Sequence, residues 1–194
     1  FKREVERLVR GLQQRGISPG DRVAIILPNQ ARWLQAATAI FLCGGVLVPL
    51  DYKLTAPEQQ ALLAHCKAKA LLIEYGLLRK AENWPVPLTI FTDGPSDSTE
   101  VPGIEWEALG QDGPPITIHH RSREDVATIV YSSGTGGTPK GCMMPHRAYL
   151  EQYRALRELY PMQPGDRYFS ILPTNHAITA RAGAGAHAQA PPAR

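Results

Sequence analysis

Cysteine is scarce in this chain, and its spacing argues against two classes of small protein. The 194 residues include three cysteines, Cys43, Cys66 and Cys142, and none belongs to a Cys-x-x-Cys pair. An odd number of widely separated cysteines does not suit a disulfide framework or a zinc site. We therefore expect free thiols in a reducing, cytoplasmic setting, with Cys142 buried as a small apolar residue.

Long apolar runs and one-sided charge are also missing. Because no apolar run approaches the length that spans a bilayer, we expect no transmembrane segment. The first residues, Phe1-Lys2-Arg3-Glu4, do not resemble a signal peptide, and without a starting methionine they suggest a processed chain or an internal start. The net charge of +3 comes from interspersed basic and acidic residues, so nucleic acid is not the expected partner. The oligomeric state cannot be read from the pattern.

Short apolar runs alternate with helical periodicity, which predicts an α/β fold with βαβ units and a parallel sheet. Thr55 and Glu58 form a predicted capping box, and Asn29 is the predicted N-cap of the second helix. Trp106 and Leu109 are expected to fix a loop-rich excursion to the core. The predicted strands cover 23–27, 46–48, 70–73, 88–91 and 126–131, and the longer predicted helices follow 5–12, 32–42, 55–65 and 146–159.

The most informative segment is Tyr131–Gly141, which reads Tyr-Ser-Ser-Gly-Thr-Gly-Gly-Thr-Pro-Lys-Gly. It combines four serine or threonine hydroxyls, four glycines and one lysine after a predicted buried strand. Glycines let backbone N–H groups turn inward, and such groups surround phosphate oxygens as an anion-binding nest. The ammonium group of Lys140 adds a compact positive charge. The segment therefore favours polyphosphate binding, although many glycine-rich loops are only turns.

Two common nucleotide-binding patterns do not fit this segment. A Walker loop requires glycine before its lysine and a hydroxyl residue after it, whereas Pro139 and Gly141 occupy those positions. A Rossmann loop opens directly into a helix, whereas the next helical signal here begins at His146. These departures argue against a Walker-type NTPase or small kinase.

The order Tyr-Ser-Ser-Gly-Thr-x-Gly-x-Pro-Lys-Gly resembles the phosphate-loop signature of the adenylate-forming superfamily, which includes acyl-CoA synthetases, luciferases and the adenylation domains of peptide synthetases. The resemblance covers roughly residues 1–177 and fits the acyl-CoA ligase branch best. It implies the parallel-sheet βαβ subdomains of an incomplete adenylate-forming N-terminal domain. Further similar segments are Pro19–Asn29, Gly44–Asp51, Pro145-His146-Arg147 and Leu172-Pro173-x-x-His176.

The resemblance also implies a reaction. Family members join a carboxylic acid to AMP from ATP, with Mg²⁺, and a thiol such as that of coenzyme A then displaces AMP. The resemblance implies a role in fatty acid metabolism, although the sequence does not identify the carboxylic acid. His176 is implied near the acyl pocket or α-phosphate as the catalytic candidate, and Thr135 near the metal. The implied phosphate ligands are Ser132, Ser133, Gly134, Thr135, Gly136, Gly137, Thr138 and Lys140.

Several family features are missing. Gly136 stands where the family usually carries Thr or Ser, and we find neither Tyr-Gly-x-Thr-Glu nor Thr-Gly-Asp nor a small C-terminal domain with its catalytic lysine. We therefore divide the chain into a partial AMP-binding domain, residues 1–178, and an Ala/Gly/Pro-rich tail, residues 179–194, that we expect to be disordered. The tail suggests a frameshifted gene end. A truncated, inactive acid–thiol ligase and a non-catalytic nucleotide-binding module both remain open.

Overall fold

The computed structural model describes residues 1–94, 102–132, 139–161, 163 and 165–166, and within them helices and strands alternate as the sequence predicts. The α-helices are α1 (Lys2–Gln14), α2 (Ala31–Leu42), α3 (Ala56–Cys66), α4 (Tyr75–Leu78) and α5 (His146–Leu159). The strands are β1 (Arg22–Ile26), β2 (Val46–Pro49), β3 (Ala70–Glu74), β4 (Leu88–Thr92), β5 (Ile104–Glu105), β6 (Val126–Ser132) and β7 (Lys140–Pro145).

These strands form a seven-stranded sheet in the order β5-β4-β3-β1-β2-β6-β7. All neighbouring pairs are parallel except β6 and β7, which pair antiparallel. The predicted α/β class and parallel sheet are therefore confirmed. The antiparallel edge strand β7 was not predicted, because Lys-Gly-Cys-Met-Met-Pro shows no regular alternation of apolar and polar residues.

Helices cover both faces of the central strands. Residues 23 and 25 of β1 pack with α1 and α2 in one apolar cluster, whereas residues 24 and 26 pack with α3 in the other. Side chains of a strand alternate between faces, so a strand with both sets buried reads as a continuous apolar run. This explains why short runs such as Ala70–Ile73 mark the interior strands.

Local signals account for some helix starts and not for others. Glu58 Oε2 accepts hydrogen bonds from the backbone N of Thr55 at 2.8 Å and from its hydroxyl at 2.6 Å, at the predicted start of α3. The prediction for α2 is wrong by one residue, because Gln30 and not Asn29 is the N-cap. Gln30 has extended backbone angles, and none of its side-chain atoms caps the helix.

The segment between β4 and β6 is held to the core by its two large apolar residues, as predicted. Trp106 and Leu109 are both buried in the cluster that contains α1. In the described part of the chain, no helix is long and apolar enough to cross a membrane. The predicted tail, residues 179–194, lies outside the described residues.

Candidate functional site

Ser132 and Lys140 face each other across the end of the β6–β7 hairpin, where they form a register pair. β6 runs parallel to β2, with Thr128 beside Leu47, so Ser132 lies at the carboxyl edge of the parallel strands. Ligands of open α/β sheets bind at this edge. The two side chains are exposed, and they stand at the two ends of the glycine-rich loop.

The remaining predicted ligands lie outside the described residues. They are Ser133, Gly134, Thr135, Gly136, Gly137 and Thr138 in the loop, and His176 further along. The structure therefore brings together Ser132 and Lys140 and leaves the other assignments as predictions. Among the described residues no group of three metal-ligating side chains occurs, and the magnesium ligand suggested by the sequence, Thr135, is not one of them.

Tyr131 supports the hairpin immediately before Ser132. Its hydroxyl lies 2.7 Å from Nδ1 of His65 on α3, and its ring packs against the apolar cluster on that side of the sheet. Burial, followed by the effect of the neighbouring Cys66 thiol, raises the pKa of Tyr131 to about 12. The sequence around His65 does not indicate this contact, because Tyr131 lies 66 positions further along the chain.

His146 begins α5 directly after β7. Its backbone N donates to the carbonyl of Asp125 at 3.0 Å, and its ring meets the edge of Phe41 with centroids 5.9 Å apart. Burial lowers the pKa of His146, and the nearby charge of Arg121 lowers it further. Nε2 of this ring is buried without a hydrogen-bond partner among the described residues.

Asp51 and Asp166 each use their carboxylate within a turn. Oδ1 of Asp51 accepts from the backbone N of Lys53 at 2.9 Å, and Oδ2 of Asp166 accepts from the backbone N of Gln163 at 2.7 Å. Asp21 makes the same contact as Asp166, because its Oδ2 accepts a hydrogen bond from the backbone N of Ser18, also at 2.7 Å. Asp21 and Asp166 both follow Pro-Gly in the sequence, and their carboxylates make the same turn contact.

Cys142 differs from its prediction. The residue is exposed, whereas Cys43 and Cys66 are buried. β7 is the edge strand of the sheet, and its residues 142 and 143 are both exposed. Exposure of this edge is a property of the strand order, which the local sequence does not determine.

Comparison with known proteins identifies relatives over most of the chain. Residues 1–186 match the family model described as AMP-binding enzyme. Feruloyl-CoA synthase of an Amycolatopsis species is 33% identical over 146 residues, which cover 75% of this chain and 27% of that protein. The Arabidopsis thaliana protein named "Probable acyl-activating enzyme 16, chloroplastic" is 28% identical over 201 residues, which cover 91% of this chain and 28% of that protein.

A solved structure shares the fold. The o-succinylbenzoate coenzyme A synthetase of Bacillus subtilis, in complex with ATP and magnesium ion, aligns with a TM-score of 0.73 and 23% identity, covering 94% of this chain and 46% of that one. These curated relatives are much longer, since the chain spans 27% of the length of the feruloyl-CoA synthase and 28% of the length of the Arabidopsis protein.

Proposed function

Because this chain belongs to the family of AMP-binding enzymes, we propose that it binds the triphosphate of ATP at the loop between β6 and β7 and serves the activation of a carboxylic acid. Its sheet is that of the N-terminal domain of adenylate-forming enzymes, which agrees with the resemblance drawn from the sequence. In the proposed reaction a carboxylate oxygen bonds to the α-phosphorus of ATP while the bond to pyrophosphate breaks. A thiol, that of coenzyme A, then displaces AMP and forms a thioester.

The observation that supports this proposal most directly is the pairing of Ser132 with Lys140 at the carboxyl edge of the sheet. The hairpin places the hydroxyl of Ser132 and the ammonium group of Lys140 at the two ends of a loop. The loop consists of the six residues 133–138, followed by Pro139. All six are hydroxyl or glycine positions, which suit a phosphate nest: Ser133, Gly134, Thr135, Gly136, Gly137 and Thr138. A lysine charge at the loop end offsets negative charge on the terminal phosphates.

We also propose that this chain by itself binds nucleotide without forming acyl-adenylate at a useful rate. The sequence contains neither Tyr-Gly-x-Thr-Glu nor Thr-Gly-Asp, the motifs that the family resemblance assigns to adenine, magnesium and ribose. Without those groups, the developing charge at the α-phosphate lacks most of the preorganised donors that a phosphoryl-transfer site supplies. The loop accounts for triphosphate binding, and the chemistry requires the missing groups.

Calorimetric titration with Mg·ATP tests the binding step. Lys140→Ala removes a charged partner, and hydrogen bonds to charged groups contribute roughly 1.5–3 kcal/mol, so we expect affinity to fall by roughly 10- to 100-fold. Lys80→Ala removes the same charge from another exposed lysine and is expected to leave affinity unchanged. Equal affinities for the original chain and Lys140→Ala would contradict nucleotide binding by this loop.

ATP–pyrophosphate exchange tests the chemical step separately. We expect no exchange above background from the 194-residue chain with fatty, aryl or amino acids, even where Mg·ATP binds. Exchange with any of these acids would contradict the proposed inactivity of the chain alone. A second variant, Gly136→Thr, restores the hydroxyl usual in the family and is expected to tighten Mg·ATP binding.

A further inference from the structure

Tyr131 connects three parts of the molecule at the base of the proposed nucleotide loop. It precedes Ser132 on β6 and forms a register pair with Gly141 on β7, next to Lys140. Its hydroxyl reaches α3, where Nδ1 of His65 lies at 2.7 Å. One side chain therefore contacts both strands of the hairpin and the helix beneath it.

The ring of Tyr131 lies beside Gly141 across the hairpin. A Cβ atom built on Gly141 would lie 3.4 Å from Cε1 and 3.5 Å from Cζ of Tyr131, and 3.0 Å from Cγ2 of Ile129. The two distances to Tyr131 are those of ordinary van der Waals contact, so the ring lies close to the returning strand at Gly141. Lys140 is the preceding residue of that strand.

The hydroxyl of Tyr131 lies within hydrogen-bonding distance of two groups on α3. The phenol is neutral at physiological pH, because burial raises its pKa to about 12, and it has one proton to donate. Nδ1 of His65 is the nearer of the two groups, at 2.7 Å, and the carbonyl oxygen of Leu62 lies at 3.4 Å. We therefore assign the donated proton to Nδ1, which requires the His65 tautomer protonated on Nε2.

α3 offers a fixed base for this bond. Its start is closed by the capping box of Thr55 and Glu58, and Leu62, Leu63 and Cys66 bury its inner face in the core. The rings of His65 and Tyr131 meet edge to face, with centroids 5.7 Å apart and an interplanar angle of 72°. The contact therefore combines a hydrogen bond with aromatic packing.

We infer that Tyr131 and His65 are positioning residues for the nucleotide loop, and that their hydrogen bond sets the spacing between Ser132 and Lys140 from outside the site. The inference rests on the proposed function, because it assigns the pair a role in binding the triphosphate. Neither side chain belongs to the residues predicted to contact phosphate. The pair acts on the two ends of the hairpin, so the position of α3 affects the position of the loop.

The test compares variants that differ by single groups. Tyr131→Phe keeps the ring over Gly141 and removes the hydroxyl, and His65→Ala removes the acceptor. A net hydrogen bond contributes about 0.5–1.5 kcal/mol, so each variant is expected to weaken Mg·ATP binding about two- to tenfold. His65→Asn keeps an acceptor oxygen near the position of Nδ1 and is expected to recover part of the loss. The double variant is expected to bind no more weakly than the worse single variant, because both changes break one bond.

Tyr149→Phe is the matched control for loss of stability alone. The hydroxyl of Tyr149 also donates a 2.7 Å hydrogen bond to β6, to Oγ1 of Thr128. Thr128 lies four residues before Ser132. We expect this variant to lower the free energy of unfolding at least as much as Tyr131→Phe and to leave Mg·ATP affinity within twofold. Equal weakening by both tyrosine variants would overturn the inference, because general destabilisation would then explain the loss.

Amide hydrogen exchange without nucleotide provides a second measurement. We expect faster exchange at residues 132, 140 and 141 in Tyr131→Phe and His65→Ala, and unchanged exchange there in Tyr149→Phe. If Lys140→Ala weakens Mg·ATP binding but Tyr131→Phe alters neither affinity nor exchange, the inference is overturned while the proposed function stands. If Lys140→Ala leaves affinity unchanged, the proposed function and this inference are both overturned.

Discussion

Nη1 of Arg7 on α1 lies 2.6 Å from the backbone carbonyl oxygen of Trp106, 99 residues further along the chain. The same nitrogen donates to the carbonyl of Leu109, and the indole Nε1 of Trp106 donates to Oε1 of Glu4 at 2.8 Å. The Arg7 side chain is only 13% exposed. The first helix is therefore fastened to the segment after β5 by charge-assisted hydrogen bonds as well as by apolar packing.

Replacing Arg7 by methionine is expected to lower the free energy of unfolding by about 2–4 kcal/mol, because partly buried carbonyls lose their charged donor and Glu4 loses its partner. Urea titration followed by circular dichroism measures the change. Arg3→Met, at an exposed position of the same helix, is the control and is expected to change stability by less than about 0.5 kcal/mol. A similar loss in both variants would contradict the role of Arg7 in joining the two segments.

Gly11→Ala is expected to destabilise the protein although alanine favours helices. A Cβ on Gly11 would lie 2.3 Å from Cγ of Leu109 and 2.9 Å from the backbone N of Gly110. Such overpacking costs about 1–3 kcal/mol, against a helix-propensity gain of about 1 kcal/mol. We therefore expect a net loss of up to about 2 kcal/mol, whose size depends on how far the neighbouring chain shifts.

Gly76→Ala is the matched control for that prediction. It makes the same change in α4, where the nearest atom to the added Cβ would be Oε1 of Glu74 at 4.0 Å. This variant is expected to be as stable as the original chain or slightly more stable. Thermal unfolding of both variants measures the difference, and a stable Gly11→Ala protein would show that the helix and the Leu109 segment do not pack this closely.

Cys142 is expected to react with a thiol reagent such as dithionitrobenzoate at once, while the other two cysteines are protected. Burial raises the pKa of Cys43 to about 12 and also raises the pKa of Cys66, and the thiolate is the reactive form. One thiol should therefore react in the native protein and three in denaturant. Cys142→Ser is expected to abolish the fast reaction. Fast reaction of two or more thiols in the original chain would contradict the described burial.

His146 is expected to make stability depend on pH. Its pKa is lowered in the folded protein by burial, followed by the charge of Arg121, so the unfolded chain binds a proton at higher pH than the folded one does. This contribution to stability is complete above the unfolded value of about 6.5 and is lost as pH falls through the folded pKa. Urea titrations at several pH values between 7.5 and 5 measure the loss.

His146→Gln removes the titrating ring and is expected to show a smaller loss of stability on acidification than the original chain. His120→Gln changes an exposed histidine and is expected to retain the full loss. If His146→Gln and the original chain lose stability equally over this range, another group is responsible for the pH dependence.

Patterns within about ten residues were sufficient to predict much of this fold. The apolar runs of β1, β2 and β3, the helical spacing of Val5, Leu8, Val9 and Leu12, and the Thr55–Glu58 capping box all appear in the structure at the expected places. Each depends on a short-range constraint, such as side-chain periodicity or the capping of free N–H groups. The glycine-rich loop was recognisable for the same reason, since its composition and order lie within eleven residues.

Other features depend on residues that only the fold brings together. The sequence near His65 gives no indication that its ring meets Tyr131, and the sequence near Gly11 gives none that Leu109 packs against it. Likewise β7 is a strand because β6 offers an open edge for pairing, and Cys142 is exposed because β7 then becomes the edge. The residues themselves determined periodicity, capping and the phosphate-loop composition, because these arise between neighbours in the chain. The order of strands decided the long-range contacts, because it alone sets which distant side chains share a face.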